Sequence, residues 1–382
     1  MKTLVIGAGM MGSAAAYDLA NSPGVELVIV ADRDAERAKQ VAASIGSKAE
    51  PAALDTGVRG DVLALMRRVD GAIGATSYTH NLALTRAAIE AGVRFCDLGG
   101  NMDVVYSQIG LDAEAAAAGT LVLPNCGLAP GMACAIAAGA AKKFSSVEEI
   151  HIRVGGLPQR PVPPLNYQLV FSPEGLINEY IEPAEVIRGG RPLSIESMED
   201  LETLSFPAPF GRLEAFSTSG GTSTLTRMFN GTVKELDYKT IRYPGHCEKF
   251  RVLLDLGFAG SEPVIAGSST RTVREFFEDL LRKRLTANGP DVVLTRVSVS
   301  GTLDGKRRML AYEMVDYYDM EQKLTSMMRT TSFPTSVILQ MAIDGRIPDR
   351  GVKPPEQCVP LEPFLAELAK RNITFTTTVT DL

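Results

Sequence analysis

The sequence predicts an α/β protein: an N-terminal Rossmann-type doubly wound parallel sheet, followed by a second α+β domain built on a mixed sheet. Three observations carry this. The chain opens with an apolar strand that runs into Gly7-Ala8-Gly9-Met10-Met11-Gly12 and an alanine-rich helix. Short apolar strands then alternate with helices up to about Pro130. From His151 the texture changes to long strands of period two with few helices. With 382 residues and 45% hydrophobic content, the chain is long for one core and comfortable for two.

The first strand, over 3–6, ends at Gly7, which makes the tight turn. Gly9 lets a pyrophosphate lie against backbone, and Gly12 lets the helix over 11–21 pack closely, its N-terminus offering amides and partial positive charge. This is the spelling of a dinucleotide site. The second strand, over 26–30, leads to Asp32, about 20 residues past the last glycine, where an acidic side chain accepts hydrogen bonds from an adenosine ribose. A carboxylate there repels a 2′-phosphate and favours NAD over NADP, although Arg33 beside it is the residue type that NADP enzymes recruit. A helix over 34–44 precedes a weaker strand between Ala49 and Thr56, which ends at Leu54-Asp55, beside the adenine in such sheets. A helix over 60–68, a strand over 71–75, a helix over 81–91, a strand over 94–97, a helix over 111–117 and a strand over 120–123 complete the pattern. The residues expected to line the dinucleotide are Gly7, Gly9, Met10, Met11, Gly12, Asp32, Arg33, Leu54, Asp55, Ala75, Thr76, Ser77, Gly127 and Leu128.

In the second domain, expected over 131–329, Gly155 to Pro164 reads as a Pro/Gly-rich loop. Strands are expected from Tyr167 to Phe171, Thr232 to Ile241, Val292 to Ser300 and Arg308 to Tyr318. Thr330-Thr331-Ser332-Phe333-Pro334 opens a helix with Pro in its first turn; Val337, Ile338 and Met341 give the apolar face and Gly345 ends it. A helix this apolar must be buried.

The balance of 39 basic and 45 acidic residues, net −6, with no long Lys/Arg run, argues against nucleic acid or an anionic membrane as partner and leaves small molecules. Residues 2–17 imitate a secretory signal, but three glycines at nucleotide-loop spacing punctuate the apolar run. Gly127 to Ala141 is too short and too rich in Gly and Ala to span a bilayer. Five cysteines, scattered and never in a CxxC pair, predict a reducing cytoplasm and no metal site.

Phe95-Cys96-Asp97-Leu98-Gly99-Gly100-Asn101, Asn125-Cys126-Gly127-Leu128-Ala129-Pro130-Gly131 and Arg242-Tyr243-Pro244-Gly245-His246 stand out. With the Gly-Gly-Leu-Pro loop and the Asn166-Tyr167…Phe171-Ser172-Pro173 run, the chain resembles the lysine 6-dehydrogenases of the saccharopine dehydrogenase superfamily, from Met1 to about Pro355. The resemblance implies NAD-dependent oxidative deamination of the ε-amino group of L-lysine to 2-aminoadipate 6-semialdehyde, which cyclises to piperideine-6-carboxylate, with release of ammonia. It also implies that residues 330–382, a C-terminal helix and tail, return to the nucleotide domain over 1–130. A homodimer is expected. Saccharopine dehydrogenases or reductases come second, because the continuation after the fifth strand and the spelling of the Arg-Tyr motif depart from theirs. A carboxynorspermidine-type dehydrogenase is a further alternative. A catalytically inactive NAD-binding sensor is the alternative of another class, disfavoured because Asp97, Asn101, Arg242 and His246 are all reactive types.

Amine oxidation by NAD needs a neutral amine, a carbon presented to the nicotinamide and a water to hydrolyse the iminium. His246 opens an amphipathic helix carrying Phe250, Leu253 and Leu254; a helix N-terminus keeps the ring neutral, so it is the candidate base, or else a polar cap or substrate donor. Asp97 ends the fifth strand, as an anion facing the substrate ammonium, as the base, or as a turn former bonded to Gly99-Gly100; Asn101 shares that loop. Arg242 is the candidate for the substrate carboxylate, unless it faces outward and Tyr243, a further catalytic candidate, points inward. Tyr167 and Phe171 are candidates to wall the substrate methylenes. Cys126 is expected to be structural rather than a nucleophile.

Overall fold

Strand β1 (Lys2–Ile6) leads into helix α1 (Met10–Asn21), and Leu4, Val5 and Ile6 are at most 1% exposed, as a parallel strand covered on both faces requires. In this computed structural model, which describes residues 1–266, 269–286 and 289–382, the pattern continues. It runs through β2 (Leu27–Asp32), α2 (Ala35–Ile45), β3 (Ala49–Ala53), α3 (Arg59–Met66), β4 (Gly71–Gly74), α4 (Asn81–Ala91) and β5 (Arg94–Asp97). Then come α5 (Met102–Ile109), α6 (Asp112–Ala117), β6 (Leu121–Leu123) and α7 (Ala133–Ala141). The strands are parallel in the order β6-β5-β4-β1-β2-β3. The chain winds outward in both directions from β1, so the carboxyl ends of β1 and β4 flank the switch point where such sheets bind ligands. Helix α5 lies where no helix was expected; Asn101 starts it, its Oδ1 accepting from the Val104 amide at 3.1 Å.

A second sheet begins with β7 (Ser146–Pro158). It is followed by α8 (Pro173–Ile181), β8 (Ala184–Arg188), β9 (Arg191–Ile195), β10 (Glu202–Phe206), β11 (Gly211–Ser217), α9 (Leu225–Met228) and β12 (Glu235–Arg242). Next are α10 (His246–Asp255), β13 (Pro263–Ala266), β14 (Ser269–Thr272), α11 (Val273–Arg284), β15 (Asp291–Leu303) and β16 (Lys306–Tyr317). The chain closes with α12 (Ser326–Ile343), β17 (Gly351–Val352), α13 (Pro355–Cys358), α14 (Leu361–Ala369) and β18 (Thr376–Asp381). The sheet runs β10-β11-β12-β7-β15-β16-β18 and is mixed, because β12 and β7 are parallel and the other pairs along it antiparallel.

Several expectations are corrected here. Gly155 to Pro158 belong to β7 rather than to a loop: Gly155 pairs with Leu294, and a Cβ on it would press against the Ile241 carbonyl. Tyr167 to Phe171 form no strand, since Leu169 makes only an isolated bridge to Thr286 and the preceding Asn166 sits at φ 51°. Helix α12 starts at Ser326, so Pro334 lies inside it and not in its first turn.

The chain divides into two units, one of Met1–Lys143, Ser223–Leu225 and Met328–Thr374, the other of Phe144–Thr222, Thr226–Met327 and Phe375–Leu382. The first unit extends past the expected boundary at 130 because α7 is packed within it: a Cβ on Gly139 would strike Leu361 of α14. α12 covers the first sheet, its Leu339 and Ile343 filling the space a side chain on Gly71 would need. The Ser336 hydroxyl donates to Asp18 Oδ2 at 2.6 Å and Arg371 pairs with Asp18 Oδ1 at 2.7 Å, while β17 extends the sheet beside β6. The last residues behave differently from the expected returning tail: β18 pairs with β16 in the second sheet. Among the described residues, no helix is long and apolar enough to cross a membrane.

Candidate functional site

At the carboxyl end of β1 each glycine has its own reason. Gly7 sits at φ 105°, and a Cβ there would lie 2.5 Å from the Ala75 carbonyl oxygen. A Cβ on Gly12 would overlap the Gly7 carbonyl. At Gly9 a Cβ would meet no protein atom within 4 Å, so nothing in the protein's own packing demands glycine, which leaves the approach of a ligand's backbone-bound phosphates as its reason. Gly9 is the N-cap of α1 and supplies no side-chain cap, so the first amides of that helix, at Met10, Met11 and Gly12, point at the same space.

Asp32 closes the loop from the side. Its Oδ2 accepts from the Ala8 amide at 2.6 Å and its Oδ1 from the Asp34 amide at 2.8 Å, leaving lone pairs for a diol. Arg33 is exposed and makes no hydrogen bond or ion pair among the described residues. The Leu54 amide donates to the Asp32 carbonyl at 2.9 Å, bringing Leu54 to the β2 edge, and Asp55 Oδ1 accepts from the Gly57 amide. Ala75, its amide on the Ile6 carbonyl at 2.8 Å, leads to Thr76, whose buried Oγ1 has no partner among the described residues, and to Ser77, whose Oγ accepts from Thr79. A hydroxyl without a partner next to the Gly7 turn, together with a glycine at position 9 that no protein contact demands, fits a bound dinucleotide.

Asp97, read as an anion facing the substrate, as the base, or as a turn former bonded to Gly99-Gly100, is fully buried at the end of β5, and its bond from the Gly99 amide is that of the turn former. Its Oδ1 accepts from Gly99 and Asn125 amides at 2.8 and 3.2 Å, and its Oδ2 from Gln108 Nε2 at 2.6 Å. Burial raises its pKa and those three donors pull it down. The carboxylate is a strut between β5 and the turn after β6, where Gly127 and Leu128 follow. Cys126 is fully buried, its Sγ on the Leu123 carbonyl, and burial together with Cys96 pushes the thiol well above its usual pKa, which suits a packing residue and not a nucleophile.

The second unit carries the other cluster. On β12, Tyr238, Thr240 and Arg242 share one face, and Arg242 is 2% exposed. Its Nε donates to the Tyr180 hydroxyl at 2.8 Å and its Nη1 to the Ile241 carbonyl at 2.9 Å, while its carbon Cζ lies 4.7 Å from the centre of the Tyr167 ring and 5.7 Å from that of Tyr180. No carboxylate comes within ion-pair distance of Arg242 among the described residues, and its Nη2 makes no hydrogen bond. Burial works against its charge, and Tyr180, Tyr167 and Glu179 outweigh that and hold it protonated.

His246 opens α10, 1% exposed. Its Nδ1 donates to the Leu165 carbonyl at 2.9 Å, which fixes the tautomer, so Nε2 accepts the Tyr180 hydroxyl proton at 3.1 Å. Burial first, and the Arg242 charge second, depress its pKa to about 3. The chain of bonds therefore runs from Arg242 to Tyr180, and from Tyr180 to His246. Tyr243 turns away, its hydroxyl donating to the Pro158 carbonyl at 3.0 Å, in the core of Phe206, Leu213 and Ile241. Phe171 is half-buried and packs against the core that contains Tyr167, Leu176 and Phe250.

Sequence reasoning passed over Tyr180 and Glu179. Ser172 caps α8 with Pro173 next, and Leu176, Ile177 and Tyr180 follow at helical spacing, so the signal for an inward Tyr180 was present. Nothing local marked Glu179, since its meaning comes from Arg242, 63 residues on.

With both clusters in view, comparison with known proteins is decisive. Residues 3–123 match the saccharopine dehydrogenase NADP binding domain and residues 125–373 the saccharopine dehydrogenase C-terminal domain. The chain belongs to the saccharopine dehydrogenase family. A curated relative, saccharopine dehydrogenase [NADP(+), L-glutamate-forming] of Pyricularia oryzae, is 24% identical over 309 residues, covering 77% of this chain; the match spans 66% of that relative's length. The fold is that of the apo L-Glu-forming saccharopine dehydrogenase of Saccharomyces cerevisiae, at TM-score 0.82 and 18% identity over 99% of each chain. The first unit of this saccharopine dehydrogenase family member thus carries the family's nucleotide-binding domain, and its cofactor is NAD(P).

Proposed function

We propose that the protein oxidises the bond between the terminal side-chain carbon and the ε-nitrogen of a lysine-derived amino acid, with NAD(P) as hydride acceptor. Arg242 carries this reading: a buried guanidinium, walled by two tyrosines and paired with no carboxylate among the described residues, is built to receive one from a ligand. The substrate amine enters neutral, hydride leaves the carbon beside it, and water splits the iminium to 2-aminoadipate 6-semialdehyde. The released partner is glutamate from saccharopine or ammonia from lysine.

Saccharopine is the first substrate on this reading, supported by the names of both the fungal relative and the yeast structure. L-Lysine is the second, supported by the motifs around Asp97, Asn125 and Arg242 and by the single uncompensated guanidinium, since saccharopine's further carboxylates call for further cations. For His246 we favour a positioning role over that of base. Its free lone pair already takes the Tyr180 proton, so it aims Tyr180 and, through it, Arg242. Asp32 supports NAD over NADP by offering a carboxylate to the ribose diol.

The test is reduced dinucleotide followed at 340 nm with L-lysine, saccharopine and cadaverine, each with NAD and with NADP. Turnover of saccharopine or lysine without cadaverine is expected, because cadaverine leaves Arg242 unpaired. Robust cadaverine turnover, or none with any of the three, rejects the proposal.

A further inference from the structure

Glu179 lies in the last turn of α8, one residue before Tyr180, partly buried, its carboxylate making no hydrogen bond or ion pair among the described residues. The position is unfavourable in itself, because a helix C-terminus repels negative charge and burial strips the carboxylate of water. Burial indeed lifts its pKa to about 7, and the nearby Arg242 charge draws it back only in part. The guanidinium is close enough to be felt and too far to pair with it. Tyr167 adds an independent sign: this side chain is 4% exposed, stacked against Arg242, and its buried hydroxyl has no hydrogen-bond partner among the described residues. A cation and an anion that feel each other without an ion pair among the described residues, beside a buried hydroxyl stacked on the cation, are complementary to a ligand that carries both charges a few bonds apart.

We propose that Arg242, Glu179 and Tyr167 form a clamp for the zwitterionic head of an L-α-amino acid, with Arg242 and the Tyr167 hydroxyl on the carboxylate and Glu179 on the α-ammonium. In a lysine-derived substrate the α-ammonium is two bonds from the carboxylate carbon, whereas the ε-nitrogen is at the far end of four methylenes. A carboxylate beside Arg242 therefore reaches the α-ammonium and not the reacting nitrogen. Glu179 is thus a specificity residue, selecting amino acids over ω-amino acids that lack the α-ammonium. The inference rests on the reading of Arg242 as a carboxylate anchor.

Calorimetric titration of the full chain with L-norleucine and with hexanoate separates the head group from the chemistry, since neither ligand has an ε-nitrogen to oxidise. Norleucine is expected to bind at least about tenfold more tightly than hexanoate. E179Q should remove that difference and leave hexanoate unchanged, R242Q should weaken both, and E179D should recover part of the preference while a thermal melt shows each variant folded. Equal binding of the two ligands by the unaltered protein, no binding of norleucine, or an equal loss of both in E179Q overturns the clamp. If R242Q leaves both unchanged, the carboxylate anchor itself fails and the proposed reaction loses its support, a result distinct from failure at Glu179 alone.

Discussion

At Asp32 one carboxylate ties the glycine loop through the Ala8 amide, and on the proposed reading its remaining lone pairs take a ribose diol. Asp32→Ala should therefore weaken NAD and at the same time relax discrimination against NADP, read as the ratio of kcat/KM for the two cofactors; an unchanged ratio would place cofactor choice elsewhere, for example on Arg33. His246 and Glu179 act on stability in opposite directions. The folded state refuses a proton at His246 until about pH 3 while the unfolded chain accepts one at 6.5, so stability falls as pH drops through that window. Glu179 holds its proton up to about pH 7 in the fold and to 4.5 when unfolded, so its contribution is present below 4.5 and lost as pH rises towards 7. E179Q is expected to raise Tm relative to the unaltered protein at pH 8 but not at pH 4.5, and thermal melts across that range check the sign. In Tyr180→Phe, Arg242 loses the acceptor for its Nε and His246 its donor. KM for the amino-acid substrate should rise more than kcat falls, because the residue positions a binding group; a collapse of kcat at constant KM would show that Tyr180 touches the reacting atoms.

Among the elements, the turn from β1 to α1 tolerates least. Gly12→Ala places a methyl group on the Gly7 carbonyl and should abolish dinucleotide binding, measured by titration with the reduced cofactor. The C-terminal helices are secured by polar bonds instead. Arg371→Ala leaves Asp18 buried without its guanidinium and should cost about 3 kcal/mol, read from the urea midpoint. How far these elements could be read in advance follows from where their signals lie. β1, its glycines and Asp32 were legible because the spacing of one turn encodes them, and Arg242 because a lone arginine at a strand end is conspicuous. β7 was hidden by Gly155, Gly156 and Pro158, residues that argue against a strand unless neighbours on both sides are known. Tyr167 to Phe171 showed strand-like alternation, yet the turn at Asn166 and the lack of a partner strand leave them a loop whose side chains face Arg242 and the core. Pro334 misled the start of α12, because a proline one turn into a helix is expected and one in its middle, losing one backbone bond, is tolerated only where tertiary packing compensates. Asp97 could be placed at its strand end, but its partner Gln108 sits on a helix, α5, that no periodicity announced.

On the scale of the molecule, the first unit carries the glycine turn of the family's nucleotide-binding domain, and the second a buried guanidinium with its tyrosines. Binding of a dinucleotide to the native state alone raises stability with the logarithm of one plus the ratio of ligand concentration to Kd, so Tm should climb with added NAD. The most direct measurement of the proposed reaction follows the hydrogen itself. L-Lysine dideuterated at the carbon bearing the ε-nitrogen, and saccharopine labelled at the same carbon, are each incubated with the protein and oxidised dinucleotide, and the reduced dinucleotide is analysed by mass spectrometry. With at least one of the two, deuterium should appear at C4 of the nicotinamide. Reduced dinucleotide free of deuterium, or labelled substrates both recovered intact without reduction, would contradict oxidation at the ε-carbon.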